Sequence, residues 1–210
     1  MKKGSSKVGS SWMREHVNDH YVHQAKAKGY RSRAAFKLIQ IDAKDRLLSP
    51  GMLVVDLGAA PGSWLQVLAE RVGPGGRVIA LDLLPIEPLP RVECIQGDFR
   101  EPEPLARLNA ALSGRKLDLV VSDMAPNISG IASSDQARSM DLCELALQFA
   151  RDNLRVDGVL LVKVFQGSGY PEFLAQMRRA FKTVVSRKPE ASRGRSAEIY
   201  LVGKGFLGKI

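Results

Sequence analysis

The stretch Leu53–Trp64, Leu-Val-Val-Asp-Leu-Gly-Ala-Ala-Pro-Gly-Ser-Trp, constrains the fold more than any other part of the chain. Leu53, Val54, Val55 and Leu57 surround Asp56, the near-continuous apolar run of a parallel strand covered on both faces. The strand stops at Gly58, which permits a tight turn. Pro61 then fixes one backbone angle, and Gly62 lets a bound group approach the backbone. Trp64, Leu65, Val67, Leu68 and Val72 follow at helical spacing. Strand, glycine loop and helix form the opening unit of a doubly wound α/β sheet, whose ligands bind at the carboxyl ends of the strands. A dinucleotide fold would need G-x-G-x-x-G there. Here the third glycine is missing, and Pro61 removes an N–H that a phosphate would want, so a nicotinamide-dependent oxidoreductase is disfavoured.

The rest of the chain alternates strand and helix, which implies a mostly parallel sheet with helices on both faces. Ser32 is the expected N-cap of a helix that carries Lys37 and ends before Ser49-Pro50-Gly51. Arg77–Asp82 is the second strand and Val92–Gln96 the third, so Asp82 and Asp98 are carboxylates at or just past strand ends. An acid in the position of Asp82 commonly holds a nucleotide ribose through its hydroxyls, and Asp98 stands where an adenine amino group could be bound. A helix over Leu105–Leu112 leads to the strand Asp118–Ser122 and then to Asp123-Met124-Ala125-Pro126-Asn127, a polar end to an apolar strand. Ile128–Gln136 is small and polar and is expected to be a mobile loop beside it. A helix over Met140–Leu154 precedes a strand that opens at Gly158 and contains Lys163. An ammonium inside such a strand must have partners or lose its proton. A helix (170–181), a strand (183–186), a basic loop (187–196) and a last strand from Glu198 to Val202 complete the order.

Length and charge set the organisation. The 210 residues suit one domain, here 31–210, preceded by a basic and partly disordered arm over 1–30. With 45% hydrophobic and 25% charged residues, no run near the roughly 20 apolar residues of a membrane span and no signal-peptide pattern, a cytoplasmic protein is expected. Cys94 and Cys143 form no close pair, so neither a disulfide framework nor a metal site is expected. The net charge of +9 is uneven. Residues 1–37 hold nine Lys or Arg against Glu15 and Asp19, and residues 178–195 hold seven against Glu190, while the body between is mildly acidic. Basic flanks around an acidic body point to a polyanion gripped at the flanks, with Arg31, Arg33, Arg193 and Arg195 as candidate contacts and Tyr21, Tyr30 and Phe36 as accompanying aromatics.

The strand ending Asp-x-Gly-x-x-x-Gly resembles the first motif of the S-adenosylmethionine (AdoMet) dependent methyltransferases. Five segments extend the resemblance over nearly the whole chain: Tyr30 to Leu38, Val55 to Gly62, Ser122 to Asn127, Val162 to Phe165 and Ser192 to Tyr200. In this order they resemble the FtsJ/RrmJ family of AdoMet-dependent ribose 2'-O-methyltransferases. The resemblance implies a Rossmann-like, seven-stranded, mostly parallel sheet with its last strand antiparallel. It also implies a Lys-Asp-Lys-Glu tetrad around the target hydroxyl, falling on Lys37, Asp123, Lys163 and Glu198. By the same resemblance AdoMet is held by Gly58, Gly62, Trp64, Asp82, Asp98 and Asp123. The implied substrate is a uridine in the A-loop of large-subunit ribosomal RNA, methylated on the assembled large ribosomal subunit, and a monomer is expected. The family usually has a second glycine after Pro-Gly where this chain has Ser63, a change tolerated unless that position needs a positive φ.

The residue types suit the chemistry. A sulfonium methyl is already activated, so the protein must align an in-line displacement and ease loss of a proton from a weakly acidic ribose hydroxyl. Lys163 is the candidate for that task. A free lysine has a pKa of about 10.4, so Lys163 either loses its proton and acts as base or stays charged and stabilises the developing alkoxide. The residue types leave both open. A non-catalytic RNA-binding assembly protein on the same fold is the alternative, and the four filled tetrad positions argue against it. A base-methylating enzyme would carry Asn or Asp, Pro, Pro and an aromatic in place of Asp123-Met-Ala-Pro.

Overall fold

The computed structural model of the chain describes residues 19–193 and 196–208. The described strands are β1 (Leu53–Leu57), β2 (Arg77–Asp82), β3 (Val92–Gln96), β4 (Leu117–Ser122), β5 (Leu154–Phe165), β6 (Phe181–Arg187) and β7 (Glu198–Phe206). The described helices are α1 (His20–Ala27), α2 (Ala35–Asp45), α3 (Ser63–Val72), α4 (Pro102–Leu112), α5 (Ala132–Asn153) and α6 (Tyr170–Ala180). The strands form one sheet in the order β3-β2-β1-β4-β5-β7-β6. Pairing is parallel from β3 through β5, and β7 runs antiparallel to both β5 and β6. This is the α/β, doubly wound sheet expected from the alternation of elements.

All five residues of β1 are buried, as its apolar run requires. Val54, Val55 and Leu57 each contribute about 1.5–3 kcal/mol relative to full exposure. Two apolar layers flank the sheet. Val54, Val78, Val121 and Tyr200 face α2 and α3 with Leu38, Ile41, Trp64 and Leu68, while Val55, Ile79, Val120 and Leu160 face Leu108, Phe149 and Phe173 from α4, α5 and α6. The order reverses between β1 and β4, placing the crevice of the switch point above the glycine loop.

Two local expectations need correction. The stretch 128–136 is not loop throughout, because α5 starts at Ala132. Its first turns contain no buried apolar residue before Met140, so they carry no periodic signal; polar anchors hold them, with the Gln136 amide donating to the carbonyls of Phe165 (3.2 Å) and Ser168 (2.9 Å). Helix α2 begins at Ala35 with Ala34 at its N-cap, and Ser32 instead accepts from the Ala34 amide one turn earlier. The described part of the basic arm, residues 19–30, is ordered on the domain. Asp19 caps α1, and Ala25 packs with Phe36 and Ala191. Residues 1–18 and Arg195 lie outside the described residues. Among the described residues, no helix is long and apolar enough to cross a membrane, and no group of metal-ligating side chains is assembled.

Candidate active site

At the carboxyl end of β1 the chain turns through Gly58 (φ 77°) and Gly62 (φ 99°). A Cβ on Gly58 would stand 2.5 Å from Cγ of Met124, and one on Gly62 would collide with the Arg31 guanidinium. Both positions therefore require glycine. Ser63 is the first residue of α3 and needs no positive φ, so the departure from Pro-Gly-Gly is accommodated; its hydroxyl lies 2.9 Å from that of Ser32. Gly62 caps α3 without a side-chain bond, leaving the first-turn amides, Trp64's among them, at the loop. The Trp64 ring itself is buried and donates to the Ala34 carbonyl at 2.8 Å.

The carboxylates expected at strand ends surround this loop. Asp82 accepts from the amides of Ala60 and Leu84, each at 2.8 Å, which braces the loop and leaves further lone pairs for hydroxyl groups. Asp98 is forked onto Arg100, and hydrogen bonds from that guanidinium hold its carboxyl below the usual carboxylate range. Asp56 is wholly buried, and neither of its oxygens has a hydrogen-bond partner. Burial, reinforced by Asp123 and Asp82, pushes its carboxyl well above the ordinary range. A glycine cradle with no room for a side chain at two positions, beside Asp82 with lone pairs to spare, fits a nucleoside ligand such as AdoMet.

The four tetrad positions meet one strand over. Lys163 on β5 is paired directly with Tyr200 on β7, and Phe165 with Glu198. Because β7 is reversed, its first residue Glu198 arrives at the same edge of the sheet as the carboxyl ends of β4 and β5. Period two then puts Glu198 and Tyr200 on one face with Lys163. Lys163 Nζ donates to the Asp123 carbonyl at 2.5 Å and lies 3.1 Å from its carboxylate. Tyr200 donates its hydroxyl to Asp123 at 2.7 Å and stands 3.5 Å from Glu198. Lys37, from α2, pairs with Glu198 at 2.7 Å and lies 5.6 Å over the Tyr200 ring. Ser192 gives Glu198 a further hydrogen bond at 2.9 Å.

The result is one continuous polar chain, Lys37, Glu198, Tyr200, Asp123, Lys163, set in an apolar face. Burial pushes the Asp123 carboxyl up, but Lys163, Lys37 and the Tyr200 hydroxyl outweigh it and hold the group below its ordinary value. Burial and then the two neighbouring carboxylates push Tyr200 well above its ordinary value, so it remains a hydrogen-bond donor. Tyr200 and Ser192 are the residues sequence reasoning missed. The signal for Tyr200 was its spacing of two from Glu198 on a strand.

Two of the arginines expected to contact RNA are also bonded within the fold. The Arg31 guanidinium donates to the Pro61 carbonyl at 3.0 Å, against the glycine loop. Arg33 is bound to Asp19 and to the Ala191 carbonyl, locking α1 and the basic loop onto α2. Tyr21 and Tyr30 pack on Phe36 at 5.5 and 5.7 Å. Arg193 is half-buried in the loop before β7.

Comparison with known proteins agrees with this geometry. Residues 30–206 match the FtsJ-like methyltransferase family. The chain is 59% identical over 203 residues to the ribosomal RNA large subunit methyltransferase E of Thiobacillus denitrificans, covering 97% of this chain and 92% of that one. It is likewise 59% identical over 199 residues to the enzyme of the same name from Neisseria meningitidis, covering 95% and 97%. A Plasmodium falciparum structure described as a ribosomal RNA methyltransferase superposes with a TM-score of 0.76 at 32% identity, covering 86% of this chain and all of that one. Aeropyrum pernix fibrillarin, solved with bound AdoMet, shares the fold alone, with a TM-score of 0.56 at 18% identity over 83% of this chain and 75% of that one. From its glycine loop to the face shared by β5 and β7, and by similarity over nearly its whole length, this chain belongs to the FtsJ-like methyltransferases.

Proposed function

We propose that the protein transfers the methyl group of AdoMet to a ribose 2'-hydroxyl in large-subunit ribosomal RNA. The observation that carries this reading is the side-chain network from Lys37 to Lys163 standing one strand from a loop built to admit a nucleoside. AdoMet, when bound, supplies a methyl group already activated on a sulfonium. Asp82 would hold ribose hydroxyls, Asp98 the adenine, and the loop between Gly58 and Gly62, with the amide of Trp64, the amino-acid end.

The remaining task, stabilising charge on the ribose oxygen as its proton passes to water, falls to Lys163. Its nitrogen has two acceptors in Asp123, the carbonyl and the carboxylate. An ammonium has three donors, so one remains for the ribose oxygen. Asp123, kept ionised by Lys163 and Lys37, fixes the lysine's position, and Glu198 does the same for Lys37. Preorganised charges in a dry face stabilise an oxyanion without reorganisation at the moment of reaction. The pH–rate profiles of the wild type and Lys163→Arg distinguish this role from that of a neutral base, which arginine cannot replace.

The target in this reading is an A-loop uridine. Binding begins with the basic flanks, where Arg193, Arg195 and the lysines of residues 1–18 hold the backbone while loop shape selects the nucleotide. We place the enzyme in the cytoplasm as a monomer acting on assembled or nearly assembled large subunits. The test compares labelled methyl transfer to purified large subunits and to protein-free ribosomal RNA. Faster transfer to subunits is expected, falling steeply as salt rises. Equal rates on both would refute the assembled substrate.

A further inference from the structure

The large apolar side chains exposed among the described residues are Leu83, Leu84, Ile128, Ile131, Val156 and Leu207. Two of them, Ile128 at 82% and Ile131 at 64% exposure, lie within four residues of one another in a segment otherwise made of Ser129 and Gly130. Isolated exposed apolar residues are ordinary. These two differ in how they are held and where.

The segment is pinned. The Asp135 carboxylate accepts from the Ser129 amide (2.8 Å), the Ser129 hydroxyl (2.7 Å) and the Gly130 amide (3.1 Å). The Ile131 amide in turn donates to the Ser129 hydroxyl at 3.3 Å. One polar knot therefore fixes the backbone between the isoleucines and leaves both side chains in water. The segment leaves the sheet at Asp123 and returns through α5, whose Gln136 is bonded to Phe165 and Ser168, just past Lys163 on β5. The arc therefore spans the ends of two adjacent strands, one ending at Asp123 and the other carrying Lys163.

We propose that this arc is a rigid apolar rest for the nucleobase of the target nucleotide, with Ile128 and Ile131 holding the base out of its stack while its ribose reaches Asp123 and Lys163. The inference rests on the methyl-transfer reading above. Single-stranded RNA loops are recognised with their bases unstacked and splayed onto the protein, and a displaced base needs an apolar surface in exchange for its lost stacking. A knot already tied before binding lowers the ordering cost of supplying that surface. The contact is to the π-face of a base and not to its hydrogen-bonding edge, so it positions without reading sequence.

The test is the pair Ile128→Ser with Ile131→Ser. Both side chains are exposed, and Ile131 is the N-cap of α5 without a side-chain cap, so a serine hydroxyl there favours the helix and loss of folding is not in play. AdoMet affinity should match the wild type and Tm should not fall, while kcat/KM for large subunits falls about tenfold, the size of one base contact. Ile128→Phe with Ile131→Phe should retain the wild-type value. A photoreactive benzophenone side chain at position 128 should crosslink to the nucleotide that receives the methyl or to its immediate neighbour. Unchanged kcat/KM in the serine pair, or crosslinks confined to ribosomal protein or to distant RNA, would overturn the base rest while leaving the methyltransferase reading intact. No methyl transfer by the wild type would overturn both.

Discussion

Replacing Lys163 with methionine keeps the aliphatic stem and removes only the charged nitrogen, so it separates the electrostatic role of this residue from its packing. The Lys163 side chain is 7% exposed, and its nitrogen touches two oxygens of Asp123. Removing one member of a fully buried pair costs about 3–5 kcal/mol. Here Asp123 keeps the Tyr200 hydroxyl and the field of Lys37 and is 19% exposed, so a cost of about 1–3 kcal/mol is expected. The effect on rate is larger. Loss of general-base or oxyanion stabilisation lowers turnover by roughly 10² to 10⁴, while AdoMet affinity, which the proposed function assigns to the glycine loop and Asp82, should stay within a few-fold. Asp123 also reports the change. In the wild type it is held below its ordinary value, so its pairing stabilises the fold above about pH 3.9 and is lost as pH falls through the lowered value. Without Lys163 burial faces less opposition, and the carboxyl titrates at higher pH. Single-turnover methyl transfer, calorimetric AdoMet titration and carboxyl NMR measure these three effects. A rate within fivefold of wild type would refute the assignment of Lys163.

Other substitutions probe the surrounding structure. Asp82→Ala removes the acceptor that braces Ala60 and Leu84 and should weaken AdoMet binding markedly in calorimetry without unfolding the protein; unchanged affinity would remove Asp82 from the site. Asp56 is raised well above its ordinary value, so the unfolded chain releases this proton at lower pH than the folded one. Its contribution is therefore intact below about pH 3.9 and erodes as pH rises toward the folded value, and Asp56→Asn should raise Tm at pH 8 in the absence of AdoMet, with no gain counting against a neutral Asp56. Asp45 is forked onto Arg187 at 2.6 and 2.8 Å with Lys204 at 3.3 Å, joining α2 to β6 and β7. Burial pushes its carboxyl up, and Arg187 and Lys204 outweigh it. Asp45→Asn should therefore cost roughly 2–4 kcal/mol in denaturant unfolding near pH 7, a difference that closes as pH falls below about 3.9.

The parts of this protein that were legible in its sequence are those encoded by local runs. Runs of apolar residues bounded by glycine or carboxylate marked β1 and β2 to their observed ends, because their residues are largely buried, while β3, an edge strand with Glu93 and Gln96 exposed, was bounded by Gly97-Asp98. Lys163 stood out as a charge inside such an apolar run. Pairing across the sheet was not legible. Tyr200 reads as an ordinary strand aromatic until the antiparallel register sets it opposite Lys163, and the reversal of β7 came from family resemblance and not from periodicity. Charge counting could name Arg31 and Arg33 as candidate RNA contacts but not their partners within the fold, the Pro61 carbonyl, Asp19 and the Ala191 carbonyl, which tertiary folding brings in. Helix α1 escaped notice because Ala25 is its only buried side chain, too little to make an amphipathic pattern. The start of α5 was hidden because hydrogen bonds to neighbouring loops, not apolar contacts, hold it in place.

In the proposed reaction the network from Lys37 to Lys163 acts on a ribose oxygen. The most direct measurement is the position of the methyl group. Large subunits incubated with the protein and labelled AdoMet would be stripped to RNA, hydrolysed in alkali and analysed by mass spectrometry. A 2'-O-methyl blocks the neighbouring attack that cleaves RNA, so the predicted product is a labelled dinucleotide that resists alkali and carries its methyl on the ribose, and this product should be absent with Lys163→Met. Label recovered in mononucleotides with the methyl on a base would contradict the account.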